Sequence, residues 1–227
     1  MSTAADRSPR EVRVAAVLLA AGEGTRFADG PKLLAKFRGR PLLAWAVAPV
    51  LEAGLPLVVV GGEVDLADAL AQLDSGIVVL DNPRAHEGQA TSLRAGIAWC
   101  DAAGFDAAVV GLGDQPLVPA SAWRTVASAA AAPIVSADFG GRRRPPVRLA
   151  REVWPLLPDT GDEGARALMR RRPELVAAVA CEGEPADVDT VADLLAFERR
   201  AGAGAWRGAL TRRSSTSSGE DGGSPAR

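Results

Sequence analysis

Lys32 and Arg26 stand on one glycine-bearing stretch, Ala20-Ala21-Gly22-Glu23-Gly24-Thr25-Arg26, with Gly30-Pro31-Lys32 just beyond it. The stretch follows directly on a short apolar run, residues 12–19. A loop of small residues leaves backbone N–H groups bare, and the concavity they form suits phosphate. Arg26 adds a bidentate fork and Lys32 a compact point charge. The chemistry indicated is binding and activation of a nucleoside triphosphate. A loop lysine of this kind is expected to be exposed and to carry little folding stability. The stretch is not a Walker loop, because no lysine in it directly follows a glycine. A dinucleotide fingerprint fails too: Phe27 fills the third glycine position, and Gly61-Gly62-Glu63 brings an acidic residue too late. A tight strand-to-helix turn without a ligand is the plainer alternative.

Carboxylates come next. Residues 107–111 read as a buried strand, and Leu112-Gly113-Asp114-Gln115-Pro116 stops it. A carboxylate just past the carboxyl end of a parallel strand lies where open α/β sheets bind ligands, and it suits Mg²⁺ coupled to phosphates. An Asx turn or a helix cap ahead of Pro119 would use the same residue. Asn82-Pro83 predicts a turn, with Thr91 or Ser92 able to cap the helix that follows, and His86 reads as an exposed loop residue. In Gly161-Asp162-Glu163-Gly164-Ala165-Arg166, Asp162 is a natural N-cap and could pair with Arg166 at i,i+4. The glycines around it favour close backbone approach to a ligand over helix stability. Arg142-Arg143-Arg144 either grips an anion or forms a solvated hairpin tip.

Taken in order, these motifs carry a resemblance. L-A-A-G-x-G-T-R-F-x-x-G-P-K-L-L followed by Gly39-Arg40-Pro41-Leu42-Leu43 resembles the signature of nucleotidyltransferases of the nucleotide-diphospho-sugar transferase fold. Within it the chain is most similar to the MobA-like, molybdenum cofactor cytidylyltransferase family. Ala20-Ala21-Gly22 is similar to the cytidylyl branch, where the guanylyl branch reads L-A-G-G; G-D-x-G-A-R is characteristic of the same branch. Asp187-Val188-Asp189-Thr190 resembles the family's D-I-D-T, while Arg144-Pro145 stand where G-H is usual. The resemblance implies an α/β fold: a three-layer α/β/α, Rossmann-like domain with a mostly parallel sheet. It implies nucleotide binding by Leu19, Ala20, Ala21, Gly22, Gly24, Thr25, Asn82, Gly88 and Ser92, and catalysis by Arg26 and Lys32. It further implies Mg²⁺ on Asp114 and Asp189, and acceptor contacts from Gln115, Asp162 and Arg166. The expected substrates are CTP, or another NTP, and molybdopterin or its molybdenum form, with a molybdoenzyme assembly protein as delivery partner. A sugar- or polyol-phosphate nucleotidyltransferase and a non-catalytic nucleotide-binding module are the alternatives.

The elements that must position these residues follow from apolar patterning. Buried runs at 12–19, 57–60, 77–80, 107–111 and 134–136 alternate with helical stretches, the sign of a parallel sheet. A helix from Pro41 to about Gly54 carries Pro49, which should loosen its end, and a second helix is expected over 64–73. Residues 1–11 read as a flexible arm, 12–200 as the domain and 201–227, with its Ser/Gly run, as a disordered tail. At 227 residues and 48% apolar the chain is long and hydrophobic enough for one core. A formal charge of −2 gives no basis for nucleic acid or membrane partners. Cys100, Cys181 and His86, the only histidine, lack zinc-ligand spacing, and the two cysteines are expected as reduced thiols in the cytoplasm. The N-terminal arginines and apolar run mimic a signal peptide, but Gly22-Glu23-Gly24-Thr25-Arg26 is no cleavage site.

Overall fold

A computed structural model describes residues 11–22, 30–71, 73 and 76–201. The expected arm up to residue 10, the tail from 202, and Gly24, Thr25 and Arg26 lie outside the described residues. The apolar runs form strands β1 (Val14–Leu19), β4 (Leu57–Gly61), β5 (Val78–Asp81), β6 (Ala107–Leu112), β7 (Ile134–Asp138) and β9 (Val176–Ala180). With β8 (Arg143–Ala150) they make a seven-stranded sheet in the order β5-β4-β1-β6-β8-β7-β9. Strands β5, β4, β1 and β6 run parallel, as do β7 and β9, while β8 is antiparallel to both its neighbours. A small hairpin, β2 (Lys36–Phe37) with β3 (Arg40–Pro41), stands apart.

Strand β8 is not expected from its composition, since two arginines and two prolines open it. It is accommodated because the β7–β8 register shifts between Ser136 and Ala137, beside Pro145 and Pro146. A bulge is where a residue without an N–H donor can sit inside a sheet.

Helices cover both faces. Helices α1 (Leu42–Glu52), α2 (Ala67–Leu70) and α4 (Ala120–Ser128) bury Leu43, Val47, Val50, Trp123 and Val126 against Leu18, Val59 and Val109. Helices α3 (Gln89–Ala102) and α5 (Ala165–Arg171), with a 3-10 turn at Arg151–Leu156, bury Leu93, Ile97, Trp154 and Leu168 against Val17, Val60 and Val110. Helix α3 lies tight on β1, for a Cβ at Gly96 would come within 2.3 Å of Val17. A third cluster, Phe37, Leu42, Trp45, Val188 and Leu194, ties the hairpin and α1 to the segment leading into α6 (Val191–Ala201).

Three local expectations need correction. Helix α2 is a single turn, Ala67–Leu70, while Val64 and Leu73 pack against the same core from outside it. Pro49 stays inside α1 in its last turn, where its carbonyl still accepts the Ala53 N–H at 3.0 Å. Helix α5 opens at Ala165 behind Gly164, without a side-chain cap, so Asp162 is not its N-cap. Gly161 at φ +99 and Gly164 at φ +50 turn the chain there and hold Asp162 outside the helix.

Candidate active site

The carboxyl ends of β1, β4 and β6 define the site. The chain leaves β1 through Leu19-Ala20-Ala21-Gly22, fixed by the Ala20 N–H to the Val60 carbonyl and the Gly113 N–H to the Leu19 carbonyl, each 2.8 Å. These residues line a cavity of about 380 Å³ together with Lys32, Gly88, Ser92, Asp114 and Asp162.

Lys32 is the centre of it. Contrary to expectation it is buried, only 8% exposed, on a 3-10 turn (Lys32–Leu34) that drives Leu33 into the core. Its Nζ donates to Asp114 Oδ2 at 2.7 Å and to Asp189 Oδ1 at 3.0 Å. The three residues, far apart in the chain, thus meet at one point. Burial works against the Lys32 ammonium, but the Asp114 and Asp189 carboxylates outweigh it and hold its pKa above the ordinary value. For Asp114 burial dominates and raises the carboxyl; Lys32 opposes this, while Asp187 and Asp189 add to it. Asp114 Oδ1 is buried and has no hydrogen-bond partner. A buried carboxylate oxygen beside a second carboxylate is a donor type that suits a hard cation. Among the described residues no group of three or more His, Cys, Asp or Glu is placed to hold a metal, so the protein offers two carboxylates. Mg²⁺ is commonly bound in this way, with substrate phosphates and water completing its shell.

The position of Asp189 is set from behind. The Val188 N–H donates to the Asp114 carbonyl at 3.0 Å, and Gln115 Nε2 donates to Asp187 at 2.7 Å. Gln115 is buried and lines neither cavity described here, so the structure places it as a brace for the 187–189 segment. Asn82 is likewise buried: its side chain donates to Thr91 and Ser92 hydroxyls, each at 2.9 Å, pinning the start of α3. Gly88 and Ser92 reach the cavity that Asn82 supports. Gln89, which belongs to the same motif run as Gly88 and Ser92, also lines it, and so does His86, read as a plain loop residue, whose proximity to Gly88 was the signal that could have marked it.

A second cavity of about 440 Å³ adjoins the first and shares Leu19, Gln89, Leu112 and Asp162 with it. Arg166 lines it, as do Arg143, Arg144, Glu163 and Arg170. Asp162 and Arg166 form no pair; Glu163 holds Arg170 instead. The glycines of this segment serve backbone docking against α3. The Ala90 N–H donates to the Gly161 carbonyl at 2.9 Å and the Gly161 N–H to the Glu87 carbonyl at 3.1 Å. A Cβ at Gly88 would stand 2.5 Å from the Gly161 carbonyl carbon. Gly88, which lines the first cavity, thus packs on the backbone next to Asp162, which lines both.

Comparison with known proteins bears on the family of the domain. The family model described as the MobA-like NTP transferase domain matches residues 16–177. The chain is 33% identical over 196 residues to a nicotine blue oxidoreductase of Paenarthrobacter nicotinovorans, covering 78% of this chain and 93% of that protein. It is 30% identical over 145 residues to a molybdenum cofactor guanylyltransferase of Cereibacter sphaeroides, covering 64% of this chain and 70% of the relative. A Mycobacterium tuberculosis H37Rv protein, Rv0371c, solved in complex with manganese, superposes with a TM-score of 0.68 at 26% identity, over 83% of this chain and 99% of the other.

Proposed function

The chain belongs to the MobA-like NTP transferase family and is a nucleotidyltransferase of that type; from this premise we propose that it transfers CMP from CTP to molybdopterin or its molybdenum form, releasing pyrophosphate. The observation that carries the reading is Lys32 held between Asp114 and Asp189 at the floor of the small-residue loop. An acceptor phosphate monoester has a second pKa near ~6, so it is already ionised at neutral pH and needs no general base. The protein's work is alignment and neutralisation of charge. The amides of residues 19–22 cradle the phosphates; Lys32 exchanges a carboxylate for the phosphate being transferred; Arg26 is assigned to the same charge. Asp114 and Asp189 would hold Mg²⁺, which supplies Lewis-acid charge stabilisation across the phosphates when bound. Arg166 and Asp162 belong to the acceptor side. We place the reaction in the cytoplasm, with hand-over to a molybdoenzyme assembly protein. Among the described residues no helix is long and apolar enough to cross a membrane.

The test is pyrophosphate release with Mg²⁺, crossing CTP, GTP, ATP and UTP with molybdopterin and common sugar phosphates. Release confined to CTP with molybdopterin is expected; release with a sugar phosphate alone would replace the acceptor. A second reading comes from the relative that is 33% identical, whose name is that of an oxidoreductase. Phe27 at the third position of the glycine pattern speaks against a dinucleotide site. Consumption of reduced nicotinamide cofactor without pyrophosphate release would favour that second reading.

A further inference from the structure

The second cavity carries its positive charge where the nucleotide cavity does not reach. The residues shared by the two cavities, Leu19, Gln89, Leu112 and Asp162, include no cation. Arg143 and Arg144 line only the second, at the start of β8, two strands from β1. Apolar Val110, Val147, Met169 and Val176 make up much of the remaining lining, with Ser136 and Glu163 among them.

Two neighbouring strand residues ordinarily face opposite sides of a sheet. Arg143 and Arg144 nevertheless line the same cavity. The register shift opposite Ser136 and Ala137 lies beside them, and a bulge is the device that re-aims a side chain. Arg142, one residue earlier at the hairpin tip, lines no part of it. Among the described residues Arg143, Arg144 and Arg166 have neither an ion pair nor a side-chain hydrogen bond, while Arg170 is already taken by Glu163. Guanidinium groups left unneutralised side by side repel one another, and a carboxylate or phosphate between them relieves that with bidentate, charge-assisted bonds.

We propose that the acceptor carries a second anionic group, at the far end of an apolar or ring-shaped body from the phosphate that attacks the nucleotide, and that Arg143 and Arg144 recognise it. The proposal rests only on the reading of this site as a nucleotidyl-transfer site for a phosphorylated acceptor; molybdopterin is neutral at the pterin end opposite its phosphate, so a distal anion would replace it as the acceptor. The attacking phosphate then points past the shared end toward Lys32 in the first cavity, the apolar lining takes the body, and the β8 arginines take the distal charge.

Calorimetric titration with three matched esters tests this: phenyl phosphate, 4-carboxyphenyl phosphate and 4-(aminomethyl)phenyl phosphate. The distal carboxylate should tighten binding about tenfold over phenyl phosphate, and the distal ammonium should weaken it. The gain should vanish in Arg143→Gln/Arg144→Gln and persist in Arg142→Gln. Equal affinity for the three esters overturns the proposal on the wild-type protein alone, as does binding of none of them. A gain that survives the double variant, or that Arg142→Gln abolishes equally, overturns it too, since overall charge would then explain it. A clear gain combined with no pyrophosphate release from any acceptor would keep the anion site and remove the transfer reading.

Discussion

Two adjoining cavities hold positive charge in opposite ways. Lys32 is buried and neutralised by the protein's own carboxylates before any ligand arrives. Arg143, Arg144 and Arg166 are exposed and, among the described residues, form no ion pair. Desolvation explains the contrast: an ammonium out of water needs an internal counter-charge, whereas a guanidinium at a rim is sustained by solvent. In the first the charge is balanced within the protein; in the second it faces solvent.

Removing the buried cation should break this comparison most visibly. Lys32→Ala should cost on the order of 2–4 kcal/mol of transition-state stabilisation in kcat/KM. It should also cost about 2 kcal/mol of folding stability, because Asp114 is left buried without its partner. Pyrophosphate kinetics and denaturant melts read the two effects, and a variant of unchanged stability would show that the pair is not holding the site. The packing of Gly88 on Gly161 comes next. Gly88 sits at φ +109 against the Gly161 carbonyl, so Gly88→Ala adds backbone strain to a collision and should cost about 2–3 kcal/mol of stability. By displacing Asp162, which lines both cavities, it should also raise KM for nucleotide and acceptor together, and a change confined to one substrate would argue that this contact does not serve both. The rim should respond least. Arg166→Ala should change stability by under ~0.5 kcal/mol, since it removes no ion pair. It should raise the acceptor KM with CTP binding nearly unchanged; identical kinetics would take Arg166 out of the acceptor site.

What could be read from the chain tracks how local the signal is. Residues 57–60 or 107–111 announce a buried strand because every side chain in the run is apolar or small. Asp114 is legible because it directly follows such a run. The burial of Lys32 is not legible, for it depends on Asp189, 157 positions away. Nor is the contact of Gly88 with Gly161, where glycine spacing hints at close approach without naming the surface approached. Strand β8 was hidden for a different reason: Arg143-Arg144-Pro145-Pro146 has loop composition, and only its place between β6 and β7 makes it a strand. Asn82 and Gln115 carry motif positions, yet both are buried and act through other residues.

The bond from Lys32 to Asp189 spans nearly the whole domain. During synthesis the loop, the first strands and Asp114 all leave the ribosome well before the segment that carries Asp189. Until then the lysine has one carboxylate, and the Asp114 carbonyl lacks the Val188 amide that latches this segment in place. The centre is a clasp joined from opposite ends of the domain, and its closure reports that translation has passed the last strand. An incomplete chain therefore lacks half of the Lys32 counter-charge until the residues beyond β9 have been made.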